Sequence, residues 1–441
     1  MLSLGEMVNE AASVRAATRE KRWDDLARLS DQHFGRVSLT EPDAWVEAFA
    51  AVPPQWFERY PRQHCLLALH KSFDDSDGDG DSVAMRRARR WLQAQEDPLT
   101  RDLLTDAVFR LRALTTLGRI DEGVALADEM VQMVAGSRES VNFDDVLPIV
   151  YIPVGVQYLL AGQLNKAIAA FTESERWARV GDPHPAVPYA RNYRAIAYAL
   201  AGQYRHASEI MSSGAGRRTW PPGTLGHLYE NASIMLPAVL ALGRLDQEAA
   251  AERIERIDAD AENDDLWWLA VMVRARYALF FGDDAQREHA VSVVADSLTA
   301  HQAVTGHGTL ALTKLAAVLA DLQQSIGDFR GAEQTLSIPG VDHRHLAARA
   351  SLARLRGDAA ILQDPGPARH ARHPIIDVFW ANQEHRAGNR SEFAAAVDRA
   401  ARGIRQRHHL SVLTEADPEV REAITALLEP RDNRTPPHAF E

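Results

Sequence analysis

Three aspartates near the N-terminal end of the chain carry the oxygen ligands that calcium prefers. Asp75, Asp77 and Asp79 place carboxylates at alternate positions, as the first half of a calcium-binding loop does. The twelfth position of such a loop supplies a bidentate glutamate, whereas Arg86 stands there. We therefore interpret this acidic stretch as a solvated turn and predict no calcium site.

Histidine pairs are the second candidate for metal chemistry. They are His343/His345, His370/His373 and His408/His409. None of them has the four-residue spacing with an intervening glutamate that zinc-binding helices of the His-Glu-x-x-His type use. We interpret these histidines as surface or helix-end residues, and we predict neither a metal nor a cofactor.

Signatures of catalysis and of nucleic-acid binding are also weak. The chain lacks a phosphate-binding Gly-x-x-x-x-Gly-Lys-Ser/Thr loop and a nucleophile elbow, and Cys65 has no recognisable catalytic partner. Arg86-Arg87-Ala88-Arg89-Arg90 is the densest basic run, and we expect it to pair with Asp74–Asp81 or with Glu96 and Asp97. The net charge of −12 argues against binding along a nucleic-acid backbone. We predict a protein that is not an enzyme and does not bind nucleic acid directly.

The elements that would position a binding site are most visible in the stretch Tyr151–Ser174. Gly155 and Tyr158 suit close packing on a first helix, and Gly162 stands where that helix must end. Ala167 and Phe171 then lie four residues apart, on one face of a second helix. The pattern resembles the tetratricopeptide repeat, which implies a pair of antiparallel helices.

Glycines followed by a polar residue recur about every 30 to 45 residues from residue 98 onward. They are Gly118, Gly162, Gly202, Gly243, Gly282, Gly327, Gly357 and Gly388. Strand-type alternation of apolar and polar residues is lacking. The sequence predicts an all-α fold, a superhelical solenoid of tetratricopeptide-like helix pairs. We divide it into an N-terminal helical cap at 1–97, the repeat solenoid at 98–428 and a flexible tail at 429–441.

The N-terminal segment carries a second resemblance. Four short segments rich in tryptophan, arginine and proline follow one another in order. They are Lys21-Arg22-Trp23-Asp24-Asp25-Leu26, Trp45–Phe49, Val52-Pro53-Pro54 and Arg87–Leu92. This series resembles the entry into the helical-repeat sensor region of the large MalT-like regulators of the LuxR type. The resemblance implies a role in transcriptional regulation, without the ATPase and helix-turn-helix domains of that family.

A solenoid of this kind presents its first helices on a concave face, where polar and aromatic side chains meet ligands. Counting back from the turn glycines gives seven candidate binding residues: Tyr189, Asn192, Glu230, Ser233, Arg276, Lys314 and Asp321. Of the adjacent Trp267 and Trp268, we expect one ring in the core and the other facing the groove. The predicted function is a non-catalytic sensor or scaffold that engages a protein, a peptide or a small effector. A structural assembly subunit, or an enzyme that uses groove residues, remains the alternative.

The amino-acid composition indicates the cellular compartment of the protein. A single cysteine suits a reducing environment, and residues 1–20 lack a secretory signal. The longest apolar run, Val146–Ala161, contains Pro148 and Pro153, and we expect it to be too short and too interrupted to span a membrane. These features predict a cytoplasmic protein with no membrane partner.

Overall fold

The structure, a computed structural model, describes residues 4–64, 66–67, 83–137, 143–180, 184–215, 225–257, 266–300, 309–341, 346–362 and 373–429. All regular secondary structure in these ranges is helical, which confirms the predicted all-helical class. The acidic stretch at 75–80, Cys65 and nearly all of the predicted tail lie outside the described residues.

The α-helices of the described ranges are α1 Leu4–Arg19, α2 Trp23–Thr40, α3 Asp43–Ala51, α4 Pro54–Arg59, α5 Val83–Gln93, α6 Thr100–Thr116, α7 Ile120–Gly136, α8 Phe143–Leu160, α9 Leu164–Trp177, α10 Val187–Leu200, α11 Tyr204–Ile210, α12 Leu225–Gly243, α13 Gln247–Ile254, α14 Trp267–Phe281, α15 Asp284–Ala300, α16 Leu310–Ser325, α17 Phe329–Leu336, α18 Leu346–Arg356, α19 Pro374–Arg386, α20 Arg390–Arg407 and α21 Pro418–Leu428. A π-helical turn, Met211–Ala215, follows α11, and 3₁₀ turns lie at Ala359–Leu362 and Leu410–Glu415.

Most of these helices form pairs joined by tight turns. Six of the eight predicted turn glycines have φ between 64° and 84°, the left-handed region that favours glycine; they are Gly118, Gly162, Gly202, Gly327, Gly357 and Gly388. The other two differ from expectation. Gly243 is the last residue of α12, and Leu245 takes the left-handed conformation there, with φ of 55°. Gly282 is extended, with φ of −76°.

The pair α8–α9 packs as its sequence pattern predicts. A Cβ on Gly155 would lie 2.4 Å from the ring of Phe171, so the absent side chain makes room for that ring. Phe171 is fully buried and also contacts Tyr193, with ring centroids 5.5 Å apart. Gly155 thus admits an aromatic side chain of the partner helix rather than its backbone.

Helix α8 is almost entirely buried and passes through the centre of the main core. Pro148 and Pro153 lie inside this helix and do not end it. In the described part of the chain, α8 is the one helix long and apolar enough to cross a membrane, and 83% of it is buried inside the protein. Its apolar composition is therefore accounted for by packing within the fold.

Successive pairs contact their neighbours along the chain from α6 to α18, and α19–α21 form a further packed unit with its own apolar cluster. Remote elements also meet. The C-terminal helix α20 contacts α11, and the rings of Tyr204 and His409 lie 4.3 Å apart between centroids. The C-terminal segment therefore folds back against the middle of the chain, and this contact creates the site described next.

Candidate functional site

The seven residues predicted to line a groove fall into different environments. Tyr189 and Asn192 in α10 are only 1% and 5% exposed. The structure thus buries two side chains that were expected on an open face, because α9 and α12 both pack against α10. Ser233 in α12 is half-buried, and the side chain of Glu230 lies outside the described residues. A binding role for these four residues stays a prediction.

The other three predicted residues share one pocket of about 220 Å³. Arg276 comes from α14, and Lys314 and Asp321 lie seven residues apart on one face of α16. The remaining walls come from the start of α9, the end of α10, from α11 and α12, from the start of α18, and from the C-terminal segment at 373–375 and 409–415. The pocket therefore forms where α19, α20 and the turn after them meet the middle helices.

One side of the pocket is apolar. Its lining includes Leu164, Val239, Met272, Leu279, Phe280, Ile375 and Val412. Four residues of α14, at positions 272, 276, 279 and 280, line the pocket with helical spacing, so a single face of this helix supplies both apolar surface and a guanidinium. The pocket can therefore hold a ligand that has an apolar part and a charged part.

Lys314 is the most unusual group in the pocket. Helix α16 is buried around most of its circumference, so the lysine, 8% exposed, extends into the cavity rather than into open solvent. Burial, and then the charge of Arg276, lower the pKa of its ammonium from 10.5 to about 7. No hydrogen-bond acceptor or carboxylate partner of Lys314 occurs among the described residues.

Arg276 is the second cation of the pocket. Its guanidinium lies near the phenol of Tyr204, whose pKa is raised by burial and lowered to a smaller extent by the charge of Arg276. Within the described ranges Arg276 forms no ion pair with a carboxylate. Glu415 acts on Arg276 electrostatically but forms its ion pair with Arg354, so Arg276 and Lys314 face this side of the pocket without a direct salt bridge to any described residue.

The two carboxylates of the pocket are bound elsewhere. Arg354 in α18 donates from Nη1 to Asp321 Oδ1 at 2.6 Å and from Nε to Glu415 Oε2 at 2.9 Å. The hydroxyl of Ser351 also donates to Asp321, at 2.5 Å. This arrangement directs the negative charge of Asp321 and Glu415 toward Arg354 and connects α16, α18 and the turn after α20.

Two histidines complete the pocket. His373 precedes α19, and its Nδ1 accepts a hydrogen bond from the Ile375 N–H at 3.3 Å, which assigns the ring proton to Nε2. The rings of His373 and His409 meet edge to face, with centroids 5.3 Å apart. Burial lowers the pKa of His373 to about 3 and that of His409 well below its usual value, so both rings are neutral at pH 7. In the described part of the chain, His409 Nδ1 has no hydrogen-bond partner.

Gly202 allows this arrangement. It combines φ of 71° with close approach, because a Cβ at this position would lie 2.3 Å from His373 Nε2. The sequence predicted Gly202 as a turn residue but gave no sign that the turn contacts the C-terminal histidines. The candidate histidine pairs are neighbours in sequence, whereas the fold brings together His373 and His409, which belong to different pairs.

The other candidate residues from the sequence are the tryptophan pair, the basic run and the remaining histidines. Trp267 and Trp268 are both buried in the main core, so neither ring faces a groove. Arg89 donates to Asp106 in α6 at 3.0 Å, an acceptor different from those expected. His343, His345 and His370 lie outside the described residues, and among the described ones no group of three or more His, Cys, Asp or Glu side chains could hold a metal ion.

The pocket thus combines two cations that have no salt bridge within the described residues, two neutral imidazoles, a phenol and an apolar wall. Such a set can bind an anionic group through Arg276 and Lys314 and bury an attached apolar group opposite them. Comparison with models of known protein families and with curated protein sequences finds no match to this chain.

Proposed function

We propose that the protein is a non-catalytic binding module that takes up a small organic anion in the pocket around Arg276 and Lys314. One observation carries this proposal: two cations face the pocket without a salt bridge to any carboxylate of the described residues, while both carboxylates of the pocket bind Arg354. A buried, unpaired cation costs free energy, and an anionic ligand would offset that cost.

The apolar wall narrows the class of ligand. An inorganic anion would leave the surface formed by Leu279, Phe280 and their neighbours uncovered, whereas a carboxylate with a short hydrocarbon part would cover it. A volume of about 220 Å³ is small for a folded segment of a protein partner. These features favour a small metabolite carboxylate over a peptide.

We further propose that the helix pairs form a tetratricopeptide-like superhelical solenoid, whose middle is closed by the C-terminal helices. The left-handed turn glycines and the packing of Gly155 against Phe171 support this arrangement. A sensor role in cytoplasmic transcriptional regulation, in which ligand binding changes contact with a protein partner, belongs to the same proposal. It rests on the resemblance in the N-terminal segment.

The test uses two matched pairs of probes, hexanoate against hexanamide and phenylacetate against phenylacetamide. We expect both carboxylates to raise the melting temperature in a concentration-dependent way, because binding to the folded state stabilises it. Both amides should have little effect. Arg276→Met should abolish the response, and Lys166→Met, on an exposed lysine of α9, serves as the control. Equal effects of acids and amides, or an unchanged response in Arg276→Met, would overturn the proposal.

A further inference from the structure

The chain uses lysine sparingly. Of its 49 lysines and arginines, only Lys21, Lys71, Lys166 and Lys314 are lysines. Lys21 is exposed, and Lys166 is half-exposed and bound to Asp128 at 2.9 Å. Lys314 alone among the described lysines is buried, faces a pocket and has no partner. The pocket therefore contains a primary amine at position 314, although most cationic side chains of this protein are guanidinium groups.

We propose that Lys314 captures its ligand covalently, by forming a reversible imine with the ketone of a small 2-oxo acid. The proposal rests on the proposed anion site, because Arg276 is the group that would hold the carboxylate of the same ligand. In a 2-oxo acid the ketone carbon is bonded directly to the carboxylate carbon. A ligand whose carboxylate lies on Arg276 therefore brings its ketone toward the neighbouring amine.

The surroundings of Lys314 favour a nucleophilic amine. Arg276 acts on it electrostatically, and the other ionisable groups that line its pocket are Tyr204, Asp321, Glu415, His373 and His409. Burial and the charge of Arg276 depress its pKa to about 7, and neither carboxylate opposes that effect because both bind Arg354. At neutral pH a large fraction of Lys314 is then the free amine, the form that attacks carbonyl groups. Arginine could not serve, since its guanidinium stays protonated.

The step balances without another reactant. The lone pair of Lys314 Nζ attacks the ketone carbon, and the electrons of the carbonyl π bond move to its oxygen. Two protons from the attacking nitrogen end on that oxygen, which leaves as water, and a carbon–nitrogen double bond remains. No oxidant or reductant is needed, and addition of water reverses the reaction. The neutral imidazoles of His373 and His409 lie in the same pocket and offer hydrogen-bonding nitrogens to the departing oxygen.

The test traps the imine by reduction. The full-length protein is incubated at pH 7 with 2-oxohexanoate and cyanoborohydride, and the modified lysine is located by peptide mass spectrometry. We expect one adduct, at Lys314, formed at least about 100-fold faster than at exposed Lys166. At pH 7 an amine with a pKa near 7 is unprotonated about 1,000 times more often than an ordinary lysine amine, and its lower basicity offsets only part of that gain. Labelling should saturate with 2-oxohexanoate and be inhibited by hexanoate, which lacks the ketone. Lys314→Met should lose the adduct, and Lys166→Met should keep it.

Lys314→Arg separates the two proposals, since it keeps a cation in the pocket but removes the amine. We expect this variant to be stabilised by hexanoate while showing no adduct in the pocket. Hexanoate binding by the wild type with slow, unselective labelling of all lysines would refute imine formation and leave the anion site standing. Absence of both hexanoate binding and selective labelling would refute both.

Discussion

Replacing Lys314 by methionine should make the protein more stable, which is unusual for a residue in a functional pocket. Methionine has a similar length and shape but carries no charge. The pKa of Lys314 falls from 10.5 to about 7 on folding, a difference of about 3.5 pKa units. At about 1.4 kcal/mol per unit, burial of the ammonium costs up to about 5 kcal/mol of folding free energy. Lys314 keeps 8% of its surface exposed, and this residual solvation reduces the cost, so we expect a gain of about 2–4 kcal/mol at pH 7.

The gain should depend on pH in a defined direction. The unfolded lysine keeps its proton up to about pH 10.5, whereas the folded one releases it near pH 7. Unfolding therefore takes up a proton between these two values, and the stability of the wild type rises with pH across this window relative to the variant. The advantage of Lys314→Met should be full at pH 6 and should shrink steadily toward pH 10.

Urea denaturation followed by circular dichroism at pH 6, 7, 8.5 and 9.5 would measure this difference. Comparing the variant with the wild type at each pH removes the titration of all other groups. Lys166→Met is the matched control, because its lysine is exposed and pairs with Asp128, and we expect a loss below about 1 kcal/mol at every pH. A destabilised Lys314→Met, or a gain that does not vary with pH, would show that Lys314 has a partner and would refute the reasoning.

Three further substitutions test the packing. Gly155→Leu should cost about 1–3 kcal/mol by overpacking against Phe171, and an unchanged thermal melting temperature would contradict the packing of α8 on α9. Gly202→Ala combines a left-handed backbone with a Cβ 2.3 Å from His373, so we expect both a lower melting temperature and weaker hexanoate binding; a variant that keeps both would show that this turn does not shape the pocket. Arg354→Met should cost about 3–5 kcal/mol in urea denaturation, since it leaves two partly buried carboxylates without their partner, and a stabilised variant would contradict this.

Rules based on local sequence patterns predicted the structural features that depend only on residues close together in the chain. The fit of Gly162, Ala167 and Phe171 to a helix pair needs only the geometry of one turn, and the structure contains that pair. Gly243 shows the limit of such rules. Its missing side chain leaves space for the ring of Tyr204, which a Cβ would meet at 2.1 Å, while the left-handed position moves to Leu245. A glycine in the sequence can mark either a turn with positive φ or a place where a neighbouring side chain approaches the backbone closely, and the sequence pattern is the same in both cases.

The site was predictable only in part, for a related reason. Counting along α14 and α16 found Arg276, Lys314 and Asp321, because helical periodicity fixes which residues share a face. The same counting placed Tyr189 and Asn192 on the concave face, whereas both are buried. We therefore expect their joint replacement by alanine to cost several kcal/mol in urea denaturation.

The contribution of the C-terminal segment could not be read from the sequence. His373 and His409 reach the pocket because α20 packs against α11 and the 3₁₀ turn at Leu410–Glu415 packs against α12, far away along the chain. No local pattern specifies a contact of that range. Likewise, the low pKa of Lys314 arises from burial within the assembled fold, and its residue type alone gives no indication of it.

Calorimetric titration of the full-length protein with hexanoate at pH 6 tests the anion site most directly. At this pH Lys314 and Arg276 both carry their charges. We predict saturable binding of one hexanoate per chain, lost in Arg276→Met and weakened at least about tenfold in Lys314→Met, which corresponds to about 1.4 kcal/mol. Binding should persist in Lys166→Met. Absence of saturable heat in the wild type, or equal affinity in all four proteins, would contradict the assignment of this pocket.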